Sequence, residues 1–168
     1  MRPRLEASAE ARVVWVSSGG MYTVGLSLDD LAWERRAYDG VRAYAETKRM
    51  QVVLAEGWAT ALEGTRISVY SMHPGWAETP GVARSLPRFH RLTARLLRTA
   101  EQGADTVVWL SAVREPPKPS GGFFFDREPR TRHLLPWTRE SEAQRHALWR
   151  LCEALTTRGS EAGNGSVG

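Results

Sequence analysis

An α/β fold, with a parallel sheet of about three strands flanked by helices, is what this 168-residue sequence predicts. Three observations point there. Val13-Val14-Trp15-Val16 is an unbroken β-branched and aromatic run, the pattern of a strand covered on both faces. A helical period follows over residues 39–62, and residues 66–72 then alternate before His73-Pro74-Gly75, where proline cannot extend a ladder. Strand, long crossover and strand make a βαβ unit, whose strands run parallel.

In chain order, residues 1–11 are polar and charged and are expected to fray. The first strand ends in Ser17-Ser18-Gly19-Gly20. Val41, Tyr44, Lys48, Val52, Val53, Glu56 and Ala59 fall three or four apart, with Asp39 as N-cap and Gly64 as the stop. Phe89, Leu92, Leu96 and Leu97 predict a basic amphipathic helix, and residues 103–113 a more apolar one. Pro116-Pro117-Lys118-Pro119 breaks the chain, residues 122–125 form a third short strand, and residues 141–156 a last helix. The Gly-, Ser- and Asn-rich residues 158–168 are expected to be a disordered tail, which leaves one domain over residues 12–157.

Composition excludes several classes. Apolar residues make up 42% and charged residues 25%, values of a globular chain rather than a disordered one. The net charge of +4 comes from arginines scattered among acids, so no nucleic-acid partner is expected; Arg84, Arg88, Arg91, Arg95 and Arg98 read as a solvated helix face. Cys152 is the sole cysteine, which rules out an intrachain disulfide and a cysteine-built metal site, and it reads as a packed hydrophobe. No signal peptide and no transmembrane run is visible, so an intracellular, soluble protein is expected. His73, Trp109, Trp137 and Trp149 read as packing residues.

Tyr44 and Lys48 stand at i and i+4, so one helix face presents both. That spacing is common by chance. The order of features is not: a buried strand ending in Ser-Ser-Gly, a loop, the Tyr/Lys helix, then a strand ending in Pro-Gly. Through Val16-Ser17-Ser18-Gly19, Tyr44-Ala45-Glu46-Thr47-Lys48 and His73-Pro74-Gly75-Trp76-Ala77-Glu78-Thr79, the chain resembles the C-terminal half of the short-chain dehydrogenase/reductase family. The resemblance implies an incomplete Rossmann-type, doubly wound parallel sheet. It also implies NAD or NADP as cofactor and a small-molecule carbonyl or alcohol as substrate.

Carried over residue by residue, the resemblance makes Tyr44 the acid/base, Lys48 its activator and a ribose contact, and Ser18 the partner of the reacting oxygen; Ser17 remains the alternative serine. Free tyrosine ionises at about pH 10, so proton exchange near neutrality needs a cation beside the phenol. Pro74, Gly75, Trp76 and Thr79 correspond to the loop against the nicotinamide, with Tyr44 and Lys48 completing the cofactor contacts.

The sequence departs from the family in lacking the residue that selects NAD or NADP, the Asn-Ala-Gly segment, the helix asparagine of the proton relay and, above all, the pyrophosphate turn. Family members hold the pyrophosphate with a Thr-Gly-x-x-x-Gly-x-Gly turn at a helix start, and no such segment occurs here. The expectation is therefore a truncated oxidoreductase that keeps Ser18, Tyr44 and Lys48 and is inactive alone. The alternative is a non-catalytic interaction module that uses the Tyr44 helix and the open edge of the first strand to bind a full-length relative or another protein.

Overall fold

A computed structural model describes residues 2–76 and 98–164. Its chain order is α1 (Arg2–Glu6), β1 (Ala11–Val16), a 3-10 turn (Gly19–Thr23), α2 (Gly40–Ala61), β2 (Ile67–Met72), α3 (Ala100–Ala112), β3 (Phe123–Phe125), β4 (Glu128–Pro129), a second 3-10 turn (Pro136–Thr138) and α4 (Glu142–Asn164). The sheet order is β1-β2-β3-β4. The β1–β2 and β2–β3 pairs are parallel, with Ala11 opposite Ile67 and Ser71 opposite Phe123, as the sequence predicts.

β4 is an addition. It pairs antiparallel with β3 across Asp126 and Arg127, both at positive φ (54° and 60°), the geometry of a tight two-residue hairpin. Neither residue is the glycine or asparagine that usually marks such a turn. Ion pairs hold it instead: Arg98 grips the Asp126 carboxylate, while Arg127 grips Asp105 of α3 and its N–H donates to Thr106 Oγ1.

Helix α2 starts where its sequence says. Asp39 caps it by accepting from the Val41 and Arg42 N–H groups, and beyond the C-cap at Leu62 the backbone reverses at Gly64 with φ 79°. Its phase differs from the expected stripe by one residue. Ala45, Glu46, Arg49, Val52 and Val53 are buried, whereas Val41 and Tyr44 are 62% and 53% exposed. That rotation leaves Tyr44 and Lys48 beside the C-terminal end of β1 rather than under the sheet.

Both faces of the first strand are covered. Ala55 and Ala59 of α2 and its C-cap Leu62 pack on Ala11, Ile67 and Val69, with Leu5 of α1, Val13 and Trp15 alongside. Leu110 of α3 packs on Tyr70, Met72 and Phe124, with Val14 on that side. Arg12 reaches across to the Leu110 carbonyl near the end of α3, where a cation is favoured. Among the described residues, β1 has a strand on one side only, at the edge of the sheet.

The chain ends differ from expectation. Residues 2–6, expected to fray, form α1, because Leu5 finds an apolar seat against the sheet. Helix α4 continues to Asn164, past the expected end near residue 156. The helix expected around Phe89 and Leu92 lies outside the described residues, as does Thr79. No described helix is long and apolar enough to cross a membrane.

Candidate functional site at the ends of the parallel strands

β1 runs out at Val16, and its next two residues diverge. Ser17 is buried and its hydroxyl donates to the Lys48 carbonyl at 2.8 Å, which ties the strand end to α2. Ser18 opens the following 3-10 turn and its Oγ accepts from the Gly20 N–H at 3.3 Å. The Ser18 hydroxyl hydrogen stays free to be donated, since accepting a bond uses only a lone pair.

Gly20 is the point where the serine turn meets α2. A Cβ placed on it would lie 3.8 Å from Ser18 Oγ, 3.9 Å from Ala45 Cβ and 4.0 Å from Tyr44 Cε1. The Ser18 hydroxyl and the Tyr44 ring edge therefore flank one small gap. The Lys48 ammonium stands 5.5 Å from the Tyr44 ring centroid, donating to the Val16 carbonyl at 3.0 Å and to Gln51 Oε1 at 3.1 Å. Among the described residues, one of its three N–H donors has no partner.

β2 ends in the second half of the site. Gly75 has φ 76°, and a Cβ there would stand 2.9 Å from Arg98 Cδ and 3.2 Å from Phe125 Cε2. Trp76 is 52% exposed, and its carbonyl accepts from the Arg98 N–H at 2.8 Å. Pro74 lies between this pair and His73, whose imidazole stacks on Phe125 at 4.2 Å with the planes 5° apart. Burial, reinforced by the Arg98 charge, pulls the His73 pKa down to about 4. His73 thus joins the Phe123–Phe125 strand to the serine turn, a role that its lone place in the sequence does not reveal.

Two further groups escape the sequence reading. Arg49 is fully buried one residue after Lys48, ion-paired with Glu140 and donating to the Arg132 and Thr138 carbonyls. It fastens residues 132–140 to α2. Glu46 is held by Arg36 and Arg42, and the Arg36 bonds, against the opposing effect of burial, keep its carboxyl below the ordinary range. The signal available for both was a charged residue on the small-residue face that begins at Ala45.

The structure thus brings Ser18, Tyr44 and Lys48 to one end of β1, with Pro74, Gly75 and Trp76 at the same end of the neighbouring strand. Open parallel sheets bind their ligands at such ends. No group of His, Cys, Asp and Glu fit to hold a metal occurs among the described residues.

Comparison with known proteins sharpens the picture. The chain is 47% identical over 158 residues to dehydrogenase/reductase SDR family member 12 of Bos taurus, a match covering 93% of this chain and 49% of that protein. Identity to the Homo sapiens protein of the same name is 44% over 155 residues, covering 91% and 48%. A crystal structure of an uncharacterized protein from Mycobacterium paratuberculosis superposes with a TM-score of 0.65 at 24% identity, covering 88% of this chain and 51% of that one. No family model matches the chain. The chain spans about half the length of the curated relatives it matches.

Proposed function

Because the chain belongs to the short-chain dehydrogenase/reductase family, a family of NAD(P)-dependent oxidoreductases, we propose that it is the catalytic half of such an enzyme, interconverting a small carbonyl compound and its alcohol. The observation that carries this reading is the convergence at Gly20 of the Ser18 hydroxyl and the Tyr44 ring, beside the Lys48 ammonium.

The residues present fit the nicotinamide end of a dinucleotide. Among the described residues Lys48 has a donor left for a ribose hydroxyl, and the loop of residues 74–76 flanks the same strand ends. For the pyrophosphate end the sequence has no glycine-rich turn, so this chain alone is not expected to hold NAD or NADP. When bound, the nicotinamide exchanges a hydride with the reacting carbon.

The chain's own residues handle the oxygen. Tyr44 gives its phenolic proton to the carbonyl oxygen in reduction and takes it back in oxidation. The Lys48 charge favours the phenolate that is left. Ser18 donates a hydrogen bond to the same oxygen, fixing it against the tyrosine.

Two measurements test the reading. Fluorescence titration of NADH or NADPH into the chain alone should show no saturable binding; micromolar binding would overturn the expectation that this half cannot hold the cofactor without a glycine-rich turn. In a chimera with a glycine-rich upstream half, Tyr44→Phe should lower carbonyl reduction by about 10²-fold or more, the usual contribution of general acid catalysis, with cofactor affinity little changed. Retention of a tenth of the activity would mean that another group supplies the proton. Lys48→Met should lower affinity and turnover together.

A further inference from the structure

We propose that His73 is a positioning residue for this site: its Nδ1 holds the Gly75 N–H and so fixes the loop of residues 74–76 against the serine turn. The inference rests on the site reading above only for its consequence, since the bond itself belongs to this chain.

Gly75 N–H donates to His73 Nδ1 at 3.1 Å. An Nδ1 that accepts carries no proton, so the neutral ring has its hydrogen on Nε2. The ring is clamped by its neighbours. Phe125 stacks on it at 4.2 Å, Phe123 lies 5.7 Å away at 20°, and Tyr22 meets it edge-on at 6.3 Å. A Cβ on Gly19 would stand 3.9 Å from both Cε1 and Nδ1, so the imidazole lies beside the serine turn, to which Tyr22 also belongs. One side chain therefore bridges the turn that presents Ser18 and the loop that presents Gly75 and Trp76.

Stacking alone would not set the loop. The Gly75 N–H lies two residues beyond His73 at a turn that Gly75 leaves with φ 76°, and the imidazole acceptor satisfies that donor. Protonation would put a hydrogen on Nδ1, facing the Gly75 N–H, and the bond would be lost. The charged groups around the ring are Arg98, Arg130 and Asp126, and the two arginines act with burial against protonation. The neutral acceptor is thus the form that the surroundings support.

The test is nuclear magnetic resonance on the whole chain without cofactor, comparing wild type with His73→Asn and His73→Phe. Asparagine keeps an acceptor that can reach the N–H two residues on; phenylalanine keeps only the stacking. At pH 7 the wild-type ring should show an unprotonated Nδ1. The Gly75 amide should exchange about five- to tenfold faster in His73→Phe, the loss expected for one net hydrogen bond, and return towards the wild-type rate in His73→Asn. The Ser17 and Ser71 amides, bonded to the Met72 and Gly122 carbonyls, report that the sheet is intact. Should His73→Phe fail to fold, the tautomer and the His73→Asn rate still decide. A proton on Nδ1 at pH 7, or a Gly75 rate unchanged in a folded His73→Phe, overturns the proposal. Failure of the site reading would show instead in the activity of the chimera, with the Gly75 bond untouched.

Discussion

The ammonium of Lys48 donates to the backbone carbonyl of Val16 at 3.0 Å, so the lysine assigned to the reaction also closes the last outward-facing carbonyl of β1. Tyr44, four residues earlier, makes no such tie among the described residues and is 53% exposed. Stability should therefore separate the two. Lys48→Met should lower the unfolding free energy by about 1 kcal/mol, the worth of a partly exposed hydrogen bond to a charged group. Tyr44→Phe should change it by less than about 0.5 kcal/mol. Urea denaturation of both variants is the check, and equal losses would deny Lys48 its hold on the strand.

Gly75 and Gly64 have similar backbones, with φ 76° and 79°, in different surroundings. Nothing lies within 4 Å of a Cβ on Gly64, whereas one on Gly75 would meet Arg98 at 2.9 Å. Gly64→Ala should cost only the left-handed strain, about 1–2 kcal/mol. Gly75→Ala should cost that and also displace Arg98 from Asp126 and Phe125, to which it is bonded and stacked. The larger loss in thermal melts should belong to Gly75→Ala; the reverse order would mean that the Arg98 side chain yields freely.

Much of this was legible in the chain. The β-branched runs at Val13 and Ile67 and the caps at Asp39 and Gly64 fixed β1, α2 and β2, because each signal is local. Tyr44 and Lys48 could be placed on one helix face by spacing alone. The phase of α2 could not, since its buried face begins with Ala45, Glu46 and Arg49, two of them charged, and they are paired with Arg36 outside the helix and with Glu140 far away in sequence. The β3–β4 hairpin escaped for the same reason: Asp126-Arg127 lacks the glycine of a hairpin signature, and its geometry depends on Arg98 and Asp105. His73 was legible as a packing residue but not as an acceptor, because that bond depends on how the chain turns between residues 73 and 75.

Arg49 and Glu140 supply a second test of long-range dependence. Burial alone would raise the Glu140 pKa, but the Arg49 charge and hydrogen bonds outweigh it and hold the carboxyl below its ordinary range. Removing one partner strands the other in the core. Arg49→Met and Glu140→Gln should each cost about 3–5 kcal/mol, and the double variant less than their sum. A depressed carboxylate gives stability that is present above its unfolded pKa and lost as pH falls through the folded one. Wild type should thus lose stability on acidification below the ordinary glutamate range, and Glu140→Gln should lose less; equal losses would show that the pair does not govern that slope.

His73 acts in a different pH window. Its pKa falls from 6.5 in the unfolded chain to about 4 in the folded one, so between those values the unfolded state binds more protons. Stability is then fully present above about 6.5 and declines as pH drops towards 4, below which His73 adds nothing further. Because the ring is only partly buried, the loss is roughly 1–2 kcal/mol rather than the full value of the shift. His133, which burial and Arg49 also push down, contributes in the same direction, so wild type alone cannot isolate His73. The comparison that can is with His73→Asn, which keeps the acceptor for Gly75 and cannot titrate. Melting temperatures measured from pH 7.5 to 4 should converge as pH falls, wild type losing more than the variant through this interval. Parallel curves would mean that the imidazole is as easily protonated in the fold as outside it, and that the Gly75 N–H does not depend on its neutral form.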